Sequence, residues 1–201
     1  ILEGLCIAAN LPLPKLYVIE SDALNAFATG RNPKNSVICV TTGLIKKLDK
    51  NEMEGVLAHE LSHIKNYDIL VSTIAIVMVG LVSILADLFS HGFYRTDDGD
   101  DDRNPILMII GLIFIILSPI FANLLNLMIS RNREYLADAT AVSLTRNNEG
   151  LIKALMKIDD DTNVLKTANE TCSSLYISDP FKKEKERDSI FSTHPSIANR
   201  I

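Results

Sequence analysis

The chain lacks an excess of positive charge, a cysteine pairing pattern, a glycine-rich phosphate loop and any internal repeat. Each absence removes a class of function. With a net charge of −5 over 201 residues, there is no basic patch to meet nucleic-acid phosphates. The three cysteines, Cys6, Cys39 and Cys172, are widely spaced and odd in number. They form neither a CxxC pair nor a disulfide framework, which suits a reducing compartment. The absence of a phosphate-cradling loop argues against an ATPase. An initiator methionine is also missing, and Ile1 runs straight into Leu2-Glu3-Gly4. That start reads as a fragment, with upstream segments absent. What is present suffices for one domain, 1–201, with a proper core.

Hydrophobic residues make up 47% of the chain, and the excess sits in two runs. Ile69 to Phe89 carries one charge, Asp87, near its far end, and Pro105 to Ile129 carries none. Each exceeds the roughly 18 apolar residues that mark a spanning helix, and neither shows a polar face. Pro119 is expected to kink the second. Between them, residues 90–104 form an acidic linker with five aspartates and two glycines. Lys46, Lys47, Lys50 and Lys65 precede the first run, and Arg131, Arg133 and Arg146 follow the second. By the positive-inside rule the flanks are cytoplasmic and the acidic loop is extracytoplasmic. The expectation is a multi-pass protein of a cell membrane, with the lipid bilayer as a partner. Two spans also return the chain to the side it left.

Asp49-Lys50-Asn51-Glu52 has the form of a capping box, so a helix should start there. Met53, Val56, Leu57, Leu61 and Ile64 recur at helical spacing and form its apolar face. Within it lies His59-Glu60-Leu61-Ser62-His63, an HExxH. Two histidines one turn apart can reach one tetrahedral zinc. Glu60 falls near the middle of the apolar stripe, where a carboxylate is costly unless it has a task. Beside a metal-activated water, a shielded glutamate is suited to act as general base.

A catalytic zinc takes three protein ligands and keeps one open position. His91 lies across the membrane by the topology argument. After the second run, Glu134 and Asp138 are one turn apart and share a helix face. Glu134 is a candidate ligand, and Asp138 a candidate acceptor that fixes a ligand histidine's tautomer. An exposed charge cluster with Arg131 and Arg133 explains the same residues equally well.

The HExxH, the later E-x-x-x-D and the hydrophobic pair between them resemble the HtpX family of membrane zinc metalloproteases, relatives of the CAAX-processing proteases of the Ste24 type. The likeness extends over Asn25-Ala26-Phe27-Ala28-Thr29-Gly30, Val40-Thr41-Thr42-Gly43, Arg133-Glu134-Tyr135-Leu136-Ala137-Asp138 and Ser192-Thr193-His194-Pro195. It implies that Glu134 is the third ligand of one Zn²⁺ held with His59 and His63. It implies an endopeptidase that cleaves damaged or misfolded membrane proteins at the cytoplasmic face, often alongside the ATP-dependent protease FtsH. The stretch Asn25, Ala26, Phe27, Ala28 resembles an active-site edge strand that receives a substrate backbone by β-augmentation. His194 and Arg200 resemble residues that support the oxyanion. The fold so implied is α+β and mainly helical, membrane-embedded, with a small sheet beside the zinc helix and two transmembrane helices. Other readings are a non-catalytic adaptor stapled by zinc and a processing peptidase for lipidated or signal-like peptides.

Leu16 to Ile19 and Val37 to Thr41 read as short strands, to be joined by Ala26 to Thr29. Asn147 to Ile158 reads as an amphipathic helix, and Thr162 to Asp188 as a mobile, solvated loop.

Overall fold

A computed structural model describes residues 1–93, 109, 111, 113, 131–168, 170–181 and 197–200. Among them the elements run α1 (Leu2–Ala9), β1 (Lys15–Ile19), β2 (Ala26–Asn32), β3 (Asn35–Thr41), α2 (Thr42–Lys47), α3 (Lys50–Lys65) and α4 (Asp68–Phe93). After the second apolar run come α5 (Arg131–Thr145), α6 (Asn148–Asp160), a 3-10 turn at Glu170–Leu175 and α7 (Ile197–Arg200).

Helix α3 is the axis of this arrangement. Its start is the expected capping box: the Asp49 side chain accepts from the Asn51 and Glu52 N–H groups, and the Glu52 side chain accepts from the Asp49 N–H. Val56, Leu57, Leu61 and Ile64 are buried, with Met53 packed at the margin. They meet α1 through Leu2 and Leu5, the sheet through Ile38 and Val40, and α6 through Leu151, Leu155 and Ile158. Helices α3 and α6 approach closely because glycines face each other's backbones. A Cβ on Gly55 would stand 2.6 Å from the Leu151 nitrogen.

The sheet has the order β1-β3-β2. Strand β3 runs parallel to β1, pairing Lys15 with Val37, and antiparallel to β2, pairing Ala26 with Val40. The two-residue turn at Pro33 and Lys34 is closed by Asn32, whose side-chain oxygen accepts from the Asn35 N–H at 2.9 Å. Strand β2 is therefore an edge, lying between the sheet and the elements that carry the polar cluster described below.

Helix α4 begins after a sharp corner. Tyr67 takes the left-handed conformation, φ 62°, and the chain turns by 72° between α3 and the start of α4. The first turns of α4 lie on β2, where Thr73 donates to the Gly30 carbonyl at 3.1 Å. Its other face leaves Ile74, Val77, Leu81 and Ile84 exposed. The helix continues to Phe93, four residues beyond the end of the apolar run and into the segment expected as linker. Among the described residues, no single helix is long and apolar enough to cross a membrane. Most of 105–129, the linker beyond residue 93, and His194 lie outside the described residues.

One expectation needs correction. The stretch from Thr162 is not a solvated loop as far as residue 181. Leu165, Tyr176 and Ile177 are buried, Tyr176 bridges to Phe27, and the Leu165 N–H donates to the Pro180 carbonyl at 2.9 Å. The few apolar residues of this polar stretch fold back onto β2. Residues 182–188 lie outside the described set.

Candidate metal centre

The middle of α3 faces α5, so the Glu134 and Asp138 turn is brought against His59 and His63. The three ligand groups come close together, with a different Glu134 oxygen standing nearest each histidine. His59 Nε2 and His63 Nε2 are 3.2 Å apart, His63 Nε2 and Glu134 Oε1 3.5 Å, and His59 Nε2 and Glu134 Oε2 3.7 Å. Two atoms bound tetrahedrally to one zinc, each at about 2.0–2.1 Å, stand roughly 3.3 Å apart. The donor set and the spacing therefore fit a single zinc.

Each histidine is oriented by a carboxylate on its other nitrogen. His59 Nδ1 meets Asp138 Oδ1 at 2.9 Å, and His63 Nδ1 meets Asp68 Oδ2 at 3.0 Å. A carboxylate accepts the Nδ1 proton and leaves the Nε2 lone pair facing the ion site. The sequence reading found Asp138 but missed Asp68. Its position five residues after His63 is off the helical repeat, and only the corner at Tyr67 brings it back against the ring. An acidic residue standing immediately before the first apolar run was the available signal.

Asp138 is further held by Arg200. The guanidinium grips it bidentately, with Nε donating to Oδ2 at 2.8 Å and Nη2 to Oδ1 at 2.7 Å. Burial alone would raise the Asp138 carboxyl, but the bonds from Arg200 and His59 outweigh it and bring it down to about 2. Burial holds His59 below the usual imidazole range, against the pull of Asp138. The neutral imidazole is the form that ligates metal. Arg200 also reaches towards Glu134, with Nη1 3.7 Å from Oε2.

Glu60 is 1% exposed. Burial pushes its carboxyl up to about 7, with His63 opposing. The Ala28 backbone N–H favours the charged form of the carboxylate. Its Oε2 is buried without a hydrogen-bond partner among the described residues. A buried carboxylate with a free oxygen and a pKa near neutrality, beside a metal-ligand triangle, is what a general base requires.

Strand β2 supplies the remaining wall. Ala28 lines the cavity that also contains Glu60, His63 and Glu134, and Tyr176 and Ile177 line it too. Asn25 is buried just before the strand, with its carboxamide nitrogen donating to the Ser178 carbonyl at 3.0 Å. Ala26 and Ala28 are buried, and the half-buried Phe27 stacks edge-on against Tyr176 at 4.8 Å. Of the site residues expected from sequence, only His194 lies outside the described residues.

A model of peptidase family M48 matches residues 1–201. The chain is 49% identical over 201 residues to the Protease HtpX homolog of Dictyoglomus thermophilum, spanning 100% of this chain and 66% of that protein. It is 43% identical over 211 residues to the Protease HtpX homolog of Listeria monocytogenes serotype 4a, spanning 99% of this chain and 69% of that one. The chain thus spans about two thirds of the length of these relatives. Among solved structures, that of S. mikatae Ste24p shares the fold with a TM-score of 0.52 at 23% identity, covering 94% of this chain and 44% of that one.

Proposed function

The chain belongs to peptidase family M48, and we propose that it is the catalytic part of a membrane-bound, zinc-dependent endopeptidase. The observation that carries this is the triangle of His59, His63 and Glu134, whose ligand atoms lie within 4.8 Å of one another, next to the buried Glu60. Those three residues would hold the ion. Bound zinc supplies Lewis acidity to a water and to the peptide carbonyl.

The chain's own residues do the rest. Glu60 takes a proton from the attacking water on its unpartnered oxygen and returns it to the departing amine. Its burial keeps it near neutrality, where it can both accept and release that proton. Asp138 and Asp68 hold the two histidines in the tautomer that presents Nε2. Arg200 secures Asp138, and with His194 we assign it to support of the oxyanion. The backbone of Ala26 to Ala28, with the Asn25 carboxamide, aligns the substrate as an added strand.

Composition and α4 support the location. An apolar helix that leaves Ile74, Val77, Leu81 and Ile84 exposed is suited to a lipid surround, and the charged flanks put the site on the cytoplasmic side. The division of the chain into a first span (69–89), an extracytoplasmic loop (90–104) and a second span (105–129) belongs to this proposal. So do the substrates, misfolded or damaged membrane proteins, and cooperation with FtsH. These rest on the family resemblance.

The test is cleavage of a loosely folded reporter by the full-length protein and its Glu60→Gln variant, with zinc content measured in both. The expected result is zinc in both and cleavage by the wild type alone. Equal cleavage rates would remove Glu60 from the mechanism. Profiling of lipidated peptides against unfolded membrane proteins would separate a processing peptidase from a quality-control enzyme.

A further inference from the structure

The edge of β2 that the peptidase reading gives to substrate already carries a piece of the chain's own backbone. The Ile177 N–H donates to the Ala26 carbonyl at 2.9 Å, and Tyr176 forms an antiparallel bridge with Phe27. The Asn25 carboxamide, assigned to aligning the substrate, donates to the Ser178 carbonyl instead. Residues of a strand present alternate backbone groups to one edge. Ala26 and Ala28 therefore face the same way, and the Ala28 N–H leads along that edge to Glu60.

The hold of this segment on the strand is short. Among the described residues its polar hold is one backbone bond and one side-chain bond, beside the edge-on contact of Phe27 with Tyr176 and the packing of Ile177 in the core cluster of Ala26 and Ala28. The Ser178 hydroxyl is buried with no hydrogen-bond partner among the described residues. A permanent fourth strand would continue the ladder, whereas this one touches the edge at a single bridge. Leu175, Tyr176 and Ile177 also line the cavity with His59, Glu60 and His63.

Resting on the peptidase reading, we propose that Tyr176–Ser178 is a built-in occupant of the substrate edge, which an incoming polypeptide must displace. The displacement sets a specificity. Only a segment that is already extended, with free backbone donors and acceptors, can replace these bonds, so a folded chain is refused. The strap also keeps the edge from pairing with other strands when no substrate is present.

Two measurements on the full-length, zinc-loaded protein test this. Ile177→Pro removes the donated N–H. The expected outcome is a rise in kcat/KM for an unfolded reporter of about threefold to tenfold, the range of one net hydrogen bond, at unchanged zinc content. An unchanged or lower kcat/KM at unchanged zinc content overturns the proposal. Because Ile177 is 3% exposed and a proline there puts the fold at risk, amide exchange at Ile177 in the wild type decides independently. With a short peptide hydroxamate bound, the strap is expelled and the Ile177 amide exchanges about tenfold faster or more. Equal or slower exchange shows a permanent strand and sinks the idea. Failure of the peptidase reading has a different signature, namely cleavage that survives Glu60→Gln or zinc removal.

Discussion

On the α5 wall of the metal centre, Asp138 holds His59 and is itself gripped by Arg200, whose side chain is 1% exposed. At the α3–α4 corner, Asp68 holds His63 at a similar distance, but the ring is 17% exposed. The same carboxylate–imidazole contact is thus built once into the interior and once at a bend. The consequences for charge are opposite. Burial keeps His59 low. Burial also works against a charged His63, but Asp68, Glu134 and Glu60 outweigh it and raise it to about 8. The interior wall is locked by a network, while the corner depends on one backbone turn. Glu134 belongs to both.

Glu134→Ala should therefore have the largest effect, because it removes the ligand the walls share. Zinc affinity in a chelator-competition titration should fall by more than the 10–100-fold that a supporting residue is typically worth. Next comes Asp138→Ala, which leaves Arg200 buried without its carboxylate. It should cost about 3–5 kcal/mol in denaturant unfolding as well as zinc affinity. Asp68→Ala should lower zinc affinity by about tenfold and cost about 1 kcal/mol, since the ring it holds is partly exposed and no buried arginine is left unpaired. Equal stability losses for the two aspartates would break the distinction between the walls.

Titration of the metal-free protein sharpens it further. Asp138 has a folded value depressed from 3.8 to about 2. Its contribution to stability is present above its unfolded value and is lost as pH falls from about 4 through about 2. His63 is raised from 6.5 to about 8, so its contribution is complete below its unfolded value and disappears as pH rises through about 8. Asp138→Asn should flatten the acid limb of a stability–pH curve, and Asp68→Asn the alkaline limb. The smallest effect belongs to the corner itself. Tyr67→Gly relieves a left-handed tyrosine and should change unfolding stability by no more than about 1 kcal/mol, in the stabilising direction.

Much of the site was legible because it is written in helical spacing. The capping box at Asp49, the apolar face of α3, the HExxH and the Glu134–Asp138 turn all follow from residue types three or four apart. The strands at 16–19, 26–29 and 37–41 were found, each short of its true ends by a residue or more. What escaped depends on tertiary contact. Asp68 acts through a corner centred on a tyrosine, a residue type that does not announce a left-handed turn. Tyr176 and Ile177 are isolated apolar residues in a polar stretch, and their burial comes from the edge they fold against. Helix α1, unrecognised from sequence, is short, and its place is set by packing on α3. Glu134 was undecided from spacing alone because a ligand and a solvated charge cluster use the same residues.

The closeness of His63 to Glu134 has a consequence for the chain as a polymer. Roughly seventy residues separate them, so an ion held by both closes a large loop, much as a cross-link does. For a covalent link of that span, the restriction on the unfolded chain is worth about 4 kcal/mol. A clasp of this kind also fixes where the two apolar runs enter and leave. Withdrawing the ion would then release a tether as well as a Lewis acid, and the return of α5 to α3 would rest on side-chain packing and the His59–Asp138 contact.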